Sequence, residues 1–492
     1  MTTPTTDDPP APQHADAPAG TPAPVASTSP VLAAHEPMGR RFHALLSATA
    51  LANLADGVVQ TAVPLYALTL TRSPGQIALL TAAAWLPWLV LGMVAGVVVD
   101  RTDRRRTQVV ALTARAVLLA GAGVLVAAGR MSMPVLLAVV LVYGVTDVLV
   151  DLAQSALVPD LVPRSRLQAA NGRVLAAQQV AGSFVGGPVA GLVLGLGAAW
   201  AFGLPAGLAV AAVVLVLRGV PGRYRHASTP ASDPAPDPTV AAAPATGTGT
   251  GTAASRVLRR GLSEAGEGVA FLVRHPVLRP LLVAGSISNM CFTGYTAVFV
   301  LWAVGDGSRM GMEPAQFPLL GVGMAVGAVL GSLVVEPLLG VVGEVRLMLG
   351  AWTLTATLLI VPVLAPVPLA VAGAFFLIGL ANTLANVLSQ SMRQRLVAPA
   401  MLGRIGGAGR TLSYGLMPVG ALLAGVVAEQ WDLVPVLVGA VVLSLAGMCY
   451  PLLTVRQRTV DAAELAAPRS HSRPDSPTSR AETARDVVIR EI

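Results

Sequence analysis

Residues 92–106, with the sequence GMVAGVVVDRTDRRR, place a dense charge cluster between two apolar runs of membrane length. Charged side chains are costly in hydrocarbon, so the cluster predicts a tight loop at one membrane face. Arginine-rich loops face the cytoplasm by the positive-inside rule, which makes this face cytoplasmic. Gly92 and Gly96 are one helical turn apart, so a neighbouring backbone can approach closely there.

The charged residues of this loop predict a conformational switch. Asp100 can accept hydrogen bonds from the N-terminus of another helix, where backbone donors and the helix dipole favour an anion. The arginines can pair with carboxylates or with lipid phosphates at the same face. The residues of the predicted switch are Gly96, Asp100, Arg101, Arg104 and Arg105. The alternative is a basic loop that only orients the chain.

The composition indicates a polytopic membrane protein. Of the 492 residues, 54% are hydrophobic and 12% charged, whereas a soluble protein carries about 25% charged residues. At about 20 apolar residues per span, about twelve helices fit. The prediction is therefore an all-α integral membrane protein with twelve transmembrane helices in two six-helix bundles. Cys291 and Cys449 show neither metal-ligand nor disulfide spacing, and no metal site is expected.

Breaks in composition divide the chain. Arginine is concentrated in alternate loops and in the central linker, so both termini are expected in the cytoplasm of a multi-pass cell-membrane protein. The linker is rich in Pro, Ala, Thr and Gly, and the segment after it alternates charged and apolar residues, as an amphipathic surface helix does. The predicted divisions are a disordered tail (1–40), an N-terminal bundle (41–220), a flexible linker (221–254), an amphipathic helix (255–277), a C-terminal bundle (278–455) and a disordered cytoplasmic tail (456–492).

The two halves also resemble each other. The pair Gln154-Ser155 precedes Pro163 at the same spacing at which Gln390-Ser391 precedes Pro399. This agrees with a parallel repeat, for which the substrate site is expected between the halves near the bilayer midplane.

Several motifs carry a resemblance to a known family. The pattern Gly-x-x-x-Asp-Arg-x-x-Arg-Arg resembles the loop between helices 2 and 3 of the major facilitator superfamily. Within it, the chain resembles the drug:proton antiporter-3 group, which includes macrolide-efflux-type proteins and exporters similar to the enterobactin exporter. The stretches that resemble this group are Asp56-Gly57, Leu86-Pro87-Trp88, Pro159–Pro163 with Ala170-Asn171-Gly172, Phe271–Pro276, and Leu402-Gly403-Arg404 with Arg410-Thr411. The resemblance implies the major facilitator fold and proton-driven export of a small amphipathic molecule.

Ionisable residues within the spans are the candidates for proton coupling, since charges at membrane depth are expensive. Asp56 lies about 14 residues into span 1, roughly 21 Å deep, and is predicted to exchange protons or to recognise a cation. The alternative is a structural acid bonded to a neighbouring helix.

Span 3 carries Arg115, and span 4 carries Asp147 and Asp151 but no arginine. Arg115 and Asp151 are each about eight residues from the cytoplasmic end, roughly 12 Å deep. The prediction is an Arg115–Asp151 pair that leaves Asp147 as the freer, titratable acid. The alternatives are a coupling role for the pair and an Arg115 that reaches to the surface while Asp151 sits in water.

Polar side chains in the spans predict a substrate cavity, although hydrogen bonds between helices explain such residues equally well. The candidates are Gln60, Gln178, Gln179, Asn289, Tyr295, Asn382 and Asn386. Gly186, Gly187, Pro188 and Gly191 form a run in span 5 that predicts close helix packing. The chain has no Gly-Lys-Ser/Thr sequence, which disfavours an ATP-driven pump, and no nucleophile–base pair, which disfavours an enzyme.

The predicted function is therefore secondary active export by proton antiport with alternating access. The proton gradient supplies the energy, and no cofactor is expected. The expected partners are a small-molecule substrate, protons and membrane lipids, with no nucleic acid, and the protein is expected to act as a monomer. The alternatives are a proton-coupled uptake symporter and a membrane sensor or scaffold that does not transport.

Overall fold

The computed structural model describes residues 38–224, 266–397 and 412–466 together with positions 401, 405 and 409. Within these residues, twelve helices are long and apolar enough to cross a membrane, which confirms the predicted number. The first half contains α1 (Arg40–Ala67), α2 (Pro74–Arg101), α3 (Arg104–Ala127), α4 (Met133–Leu161), α5 (Leu167–Gln178), a π-helical segment (Gln179–Gly186), α6 (Gly187–Leu196) and α7 (Trp200–Gly219). Helix α5, the π segment and α6 run on as one span.

The second half has the same number of spans. It contains α8 (266–274), α9 (Leu278–Ala303), α10 (Phe317–Val342), α11 (Glu344–Leu358), α12 (Val361–Leu364), α13 (Pro368–Leu396), α14 (Met417–Trp431), α15 (Leu433–Thr454) and α16 (Gln457–Ala466). Helices α11 and α12 share one span, and the span that includes α14 begins at Leu412. The predicted amphipathic helix at 255–277 is helical over 266–274, and its residues up to 265 lie outside the described ones.

Local sequence signals set the helix boundaries. The Asp103 carboxylate caps the start of α3 by accepting a hydrogen bond from the backbone N–H of Arg106 at 3.0 Å. Proline, which lacks the N–H that a first helical turn leaves unused, begins several helices. It does so in α4, α6, α10, α13 and α14, at Pro134, Pro188, Pro318, Pro368 and Pro418.

Side chains on the outer surface are apolar, as a lipid-facing surface requires. In α3, Val110, Val117 and Val124 lie seven residues apart and are all exposed, whereas Leu112 and Leu119 on the other face are buried. Exposure of such an apolar stripe is unfavourable in water but not in lipid. The helix therefore packs one face inward and presents the other to hydrocarbon.

Successive spans run in opposite directions, so the structure has two ends. We call the end with the α2–α3 loop (102–103) the basic end and the end with the α1–α2 loop (68–73) the opposite end. At the basic end, Arg104 bonds Asp160 at 2.7 Å and joins α3 to α4. In the second half, Arg395 of α13 bonds Glu344 at the start of α11, so the equivalent helices are joined with the charges exchanged. The two halves thus repeat in structure, in agreement with the repeat in the sequence.

The two halves contact each other at the opposite end. The Arg72 guanidinium donates to the backbone carbonyl of Val304 at 3.0 Å. Glu429, near the end of α14, accepts hydrogen bonds from the Ser73 hydroxyl at 3.0 Å and from the backbone N–H of Gly75 at 2.9 Å. Gly75 lies in the first turn of α2, where backbone donors have no partner within the helix. A carboxylate from one half therefore caps a helix of the other half.

The predicted disorder of the tail at 456–492 is wrong for its first part. Residues Gln457–Ala466 form α16. Val460 is fully buried, and Glu464 accepts a hydrogen bond from Arg395 at 2.7 Å. One buried apolar position and one ion pair hold this polar helix at the basic end, a pattern too sparse to stand out in the sequence. Residues 467–492 lie outside the described ones.

Candidate functional site

A buried arginine lies at the centre of the first half. Arg115 of α3 is fully buried. Its guanidinium donates to Asp56 of α1 at 2.6 Å and to Asp147 of α4 at 2.9 Å. Its Nε also donates to the Thr146 hydroxyl at 3.3 Å. One cation thus connects carboxylates from two other helices. With both carboxylates ionised, the set carries two negative charges against one positive charge.

Two aromatic residues complete this network. Tyr143 donates its hydroxyl to the Asp56 carboxylate, and its ring lies 4.7 Å from the Arg115 guanidinium. Tyr143, Thr146 and Asp147 share one face of α4, since residues three and four positions apart are neighbours on a helix. Trp88 of α2 donates its indole N–H to the second oxygen of Asp147 at 3.2 Å. Four helices therefore contribute to one hydrogen-bonded network.

Backbone contact fixes the position of Asp56. A methyl group on the adjacent Gly57 would lie only 2.9 Å from the Gly186 Cα, and one on Gly186 only 2.6 Å from the Gly57 Cα. Contacts this close require glycine on both sides. Gly186 ends the π-helical segment, and Pro188 follows in the first turn of α6. The proline ring cannot donate a helical hydrogen bond, which accounts for irregular winding just before it.

The network borders a cavity with about 450 Å³ of empty space, part of it open to solvent. It is lined by Asn53, Asp56, Gln60, Trp88, Asp147, Val150, Asp151, Gln154 and Gln178. Three of these nine residues are aspartates, and none is basic. Most of the rest carry amides, so the lining is polar and acidic with one indole wall.

The predicted Arg115–Asp151 pair is wrong. The guanidinium bonds Asp56 and Asp147, and Asp151 instead accepts a hydrogen bond from Gln178 at 3.4 Å. Asp147 is therefore not the freer acid, since it accepts from Arg115 as well as from an indole. The alternative in which Arg115 reaches the surface is also wrong, because its side chain is fully buried.

The predicted cavity residues divide into two groups. Gln60 and Gln178 line the cavity. Tyr295 does not line it, because it is fully buried in the apolar core and donates to the backbone carbonyl of Leu359 at 2.9 Å. The others lie elsewhere in this conformation: Asn289 bonds the backbone carbonyl of Ser413 at 3.4 Å, and Gln179, Asn382 and Asn386 are absent from the lining.

The predicted switch loop is described in part. The side chains of Asp100 and Arg101, with Gly96, lie outside the described ones. Arg104 is buried and also donates to the backbone carbonyl of Ala156 at 3.1 Å, so it is tied to α4. Arg105 donates to the backbone carbonyl of Leu217 in α7 at 2.8 Å. These two arginines fasten helices of the first half to one another.

Two glycines of the run in span 5, Gly186 and Gly191, pack closely against other helices. Gly186 contacts α1, and a methyl group on Gly191 would lie 3.2 Å from Pro318 Cγ in α10. Gly187 has more room, with its nearest neighbours at 3.8 and 3.9 Å. Span 5 thus touches α1 on one side and the second half on the other.

Three residues of the site that were not predicted from the sequence lie on one face of α4. Tyr143 and Thr146 bond the charged network, and Gln154 lines the cavity. A signal was present, because these residues recur on the α4 face that carries Asp147 and Asp151. Gln154 is 1% exposed, and its amide nitrogen has no hydrogen-bond partner among the residues that the structure describes.

Comparisons with known proteins agree with this architecture. The family model described as Major Facilitator Superfamily matches residues 45–414. The chain is 23% identical over 444 residues to the multidrug efflux pump Tap of Mycobacterium tuberculosis, covering 87% of this chain and 96% of that protein.

Two solved structures share the fold. The nucleoside transporter NupG has a TM-score of 0.59 at 14% identity, covering 85% of this chain and all of that one. A bacterial homologue of the human lysosomal transporter Spinster has a TM-score of 0.56 at 14% identity, covering 89% of this chain and all of that one.

Proposed function

The chain belongs to the Major Facilitator Superfamily, and from that premise we propose that it exports small amphipathic molecules in exchange for protons. The observation that carries this proposal is the network in which Asp56 and Asp147 share Arg115 beside a polar cavity. A related protein of similar length is named a multidrug efflux pump, which favours drug-like substrates and outward transport.

Charge balance gives the network its proposed role. Two carboxylates and one guanidinium leave one excess negative charge, and a single proton makes the set neutral. A bound cation can supply the same missing positive charge from the cavity side. Since proton and substrate compensate the same charge, binding of one opposes binding of the other, which is the requirement for antiport. Arg115 keeps the two carboxylates together in both protonation states.

Alternating access follows from where the halves touch. Contacts between α2 and α14 close the opposite end, and release of that end lets the cavity open there. The positive-inside rule places the basic end in the cytoplasm, with both termini on that side of the cell membrane. We expect a monomer driven by the proton gradient without a cofactor. It is a transporter and not an enzyme, and its partners are its substrate, protons and membrane lipids.

A pH measurement in inside-out vesicles tests the proposal. The lumen is acidified and loaded with a pH dye, and macrolides, tetracyclines, dyes and catecholate siderophores are added one at a time. At least one compound is expected to release lumenal protons in vesicles with the wild-type protein. Asp56→Asn should abolish this release, whereas Glu313→Gln, which alters an exposed carboxylate outside the network, should retain it.

The outcome also separates the alternatives. Uphill substrate accumulation by Asp56→Asn at the wild-type rate would refute the coupling role of this residue. Substrate that moves in the same direction as protons would indicate the uptake symporter. Substrate binding without any movement of substrate would indicate the sensor or scaffold.

A further inference from the structure

One residue of the cavity wall has a buried amide donor that is unpaired among the described residues. Gln154 of α4 lines the cavity and is 1% exposed, and its amide nitrogen has no hydrogen-bond partner in the described part of the chain. A buried polar group of this kind normally costs free energy, so proteins rarely keep one without use. An amide donor on a residue that lines a cavity can bind an acceptor atom of a ligand.

Asp151 lies on the same face of α4 as Gln154. The two residues are three positions apart on α4, so they share a face and are separated by about 4.5 Å along the helix axis. Asp151 also lines the cavity, and its carboxylate accepts a hydrogen bond from Gln178 at 3.4 Å. Asp147 extends the same face toward the Arg115 network. A ligand in the cavity thus meets an anionic group next to a hydrogen-bond donor.

We propose that Asp151 and Gln154 form a recognition pair for an organic cation that carries a hydrogen-bond acceptor a few ångströms from its charge. Asp151 binds the cationic group, and the Gln154 amide donates to the acceptor. Trp88 and Val150 provide the apolar wall for the rest of the molecule. This inference rests on the proposed function, which it narrows to one substrate class.

The positive charge and the hydrogen-bond acceptor of the ligand are bound by different residues, so the two features can be tested separately. A cavity group that donates a hydrogen bond discriminates against a ligand that lacks the acceptor, because the donor then stays unpaired. Loss of the carboxylate should weaken every cation alike. Loss of the amide should weaken only those cations that carry the acceptor.

Equilibrium dialysis on the purified full-length protein in detergent tests this with two probes. Quinine carries a protonated amine close to a hydroxyl, and 9-deoxyquinine is the same cation without that hydroxyl. We expect Gln154→Leu to weaken quinine binding about tenfold, the equivalent of one good hydrogen bond, and to leave 9-deoxyquinine unchanged. Asp151→Asn should weaken both. Gln179→Leu, an exposed glutamine outside the lining, is the matched control.

Four results would overturn the recognition pair. Gln154→Leu could weaken the binding of both probes equally, or of neither probe. In the third result, neither cation binds to the wild-type protein. The fourth result is a marked drop in melting temperature for Gln154→Leu without ligand, because that would make the amide structural. Binding as expected with no proton exchange in the vesicle assay would refute antiport and leave the recognition pair intact, so the two failures are distinguishable.

Discussion

Removal of the Glu429 carboxylate should release the opposite end of the molecule. One oxygen of this side chain accepts from the Ser73 hydroxyl and from the backbone N–H of Gly75. Both donors lie at the start of α2, in the first half, whereas Glu429 lies in α14, in the second. These bonds must break when the two halves separate at this end.

The magnitude follows from the exposure of the contact. A hydrogen bond to a charged group contributes about 1.5–3 kcal/mol when it is shielded from water. Glu429 is exposed, so screening lowers each contribution to about 0.5–1 kcal/mol. The two bonds together then favour the closed end by about 1–2 kcal/mol, and Glu429→Ala should raise the open population about 5- to 30-fold. Glu429→Gln keeps an acceptor without the charge and should lose about half of that free energy. Its open population should therefore rise about 2- to 5-fold.

Thiol labelling measures this population. Gln60→Cys places a thiol in the cavity wall about 10 Å from the end of α1 at the opposite end. The exposed Cys449 is replaced by serine, and the native Cys291 is buried. A membrane-impermeant maleimide added outside intact cells should react with the introduced thiol at a rate proportional to the open fraction. Glu429→Ala and Glu429→Gln should accelerate labelling by the factors above.

The matched control is Asp432→Asn, three residues farther along. This carboxylate bonds only the backbone N–H of Leu433 among the described contacts, and asparagine keeps an acceptor of the same size there. Labelling in the control should match the parent protein. Unchanged labelling in both Glu429 variants, or equal acceleration in the control, would refute the assignment of this contact.

Two further predictions concern stability. Gly57→Ala should destabilise the protein by about 1–3 kcal/mol, because its methyl group would overlap the Gly182 carbonyl oxygen and lie 2.9 Å from the Gly186 Cα. Thermal unfolding in detergent measures this loss. Gly207→Ala should cause no such loss, because its methyl group would meet no described atom of another helix within 4 Å. His275 accepts hydrogen bonds from two backbone N–H groups at the start of α9, and burial lowers its pKa below the usual 6.5. The contribution of this cap to the free energy of unfolding should be fully present above pH 6.5. It should fall as the pH drops toward the lowered pKa, because in that range the histidine gains a proton only in the unfolded chain. His275→Asn should keep the cap and remove this pH dependence of stability. If the stability of the variant depends on pH as that of the parent does, His275 is not its cause.

The sequence was sufficient for the fold because membrane spans follow from composition. Hydrocarbon excludes charge and demands satisfied backbone groups, so apolar runs and arginine-rich loops define the helices almost alone. Close helix contacts at glycine were predictable for the same reason, as Gly186 and Gly191 illustrate. Helix α16 was not predicted because its sequence is polar, like that of a disordered tail. Its buried valine and its ion pair do not stand out in such a sequence.

The ionisable residues of the charged network could be predicted from the sequence, but their hydrogen-bond partners could not. Depth along a helix follows from counting residues, and on this basis Arg115 and Asp151 were matched. Depth does not give rotation about the helix axis, and an arginine side chain spans more than one helical turn. Asp147 is one turn away on the same face, and Asp56 comes from a third helix. The orphan amide of Gln154 is likewise a three-dimensional property, since the sequence cannot show which donors find partners.

One continuous series of contacts joins the charged network to the second half. Asp56 is followed by Gly57, whose backbone contacts the backbone of Gly186 directly. No side chain therefore separates α1 from span 5 at this point. Five residues farther on, Gly191 packs against Pro318 at the start of α10. A shift of α1 would therefore be transmitted through span 5 to the second half. The contact between Gly191 and Pro318 lies toward the opposite end, where α2 and α14 also meet, so this series of contacts ends at the part of the interface that alternating access requires to open.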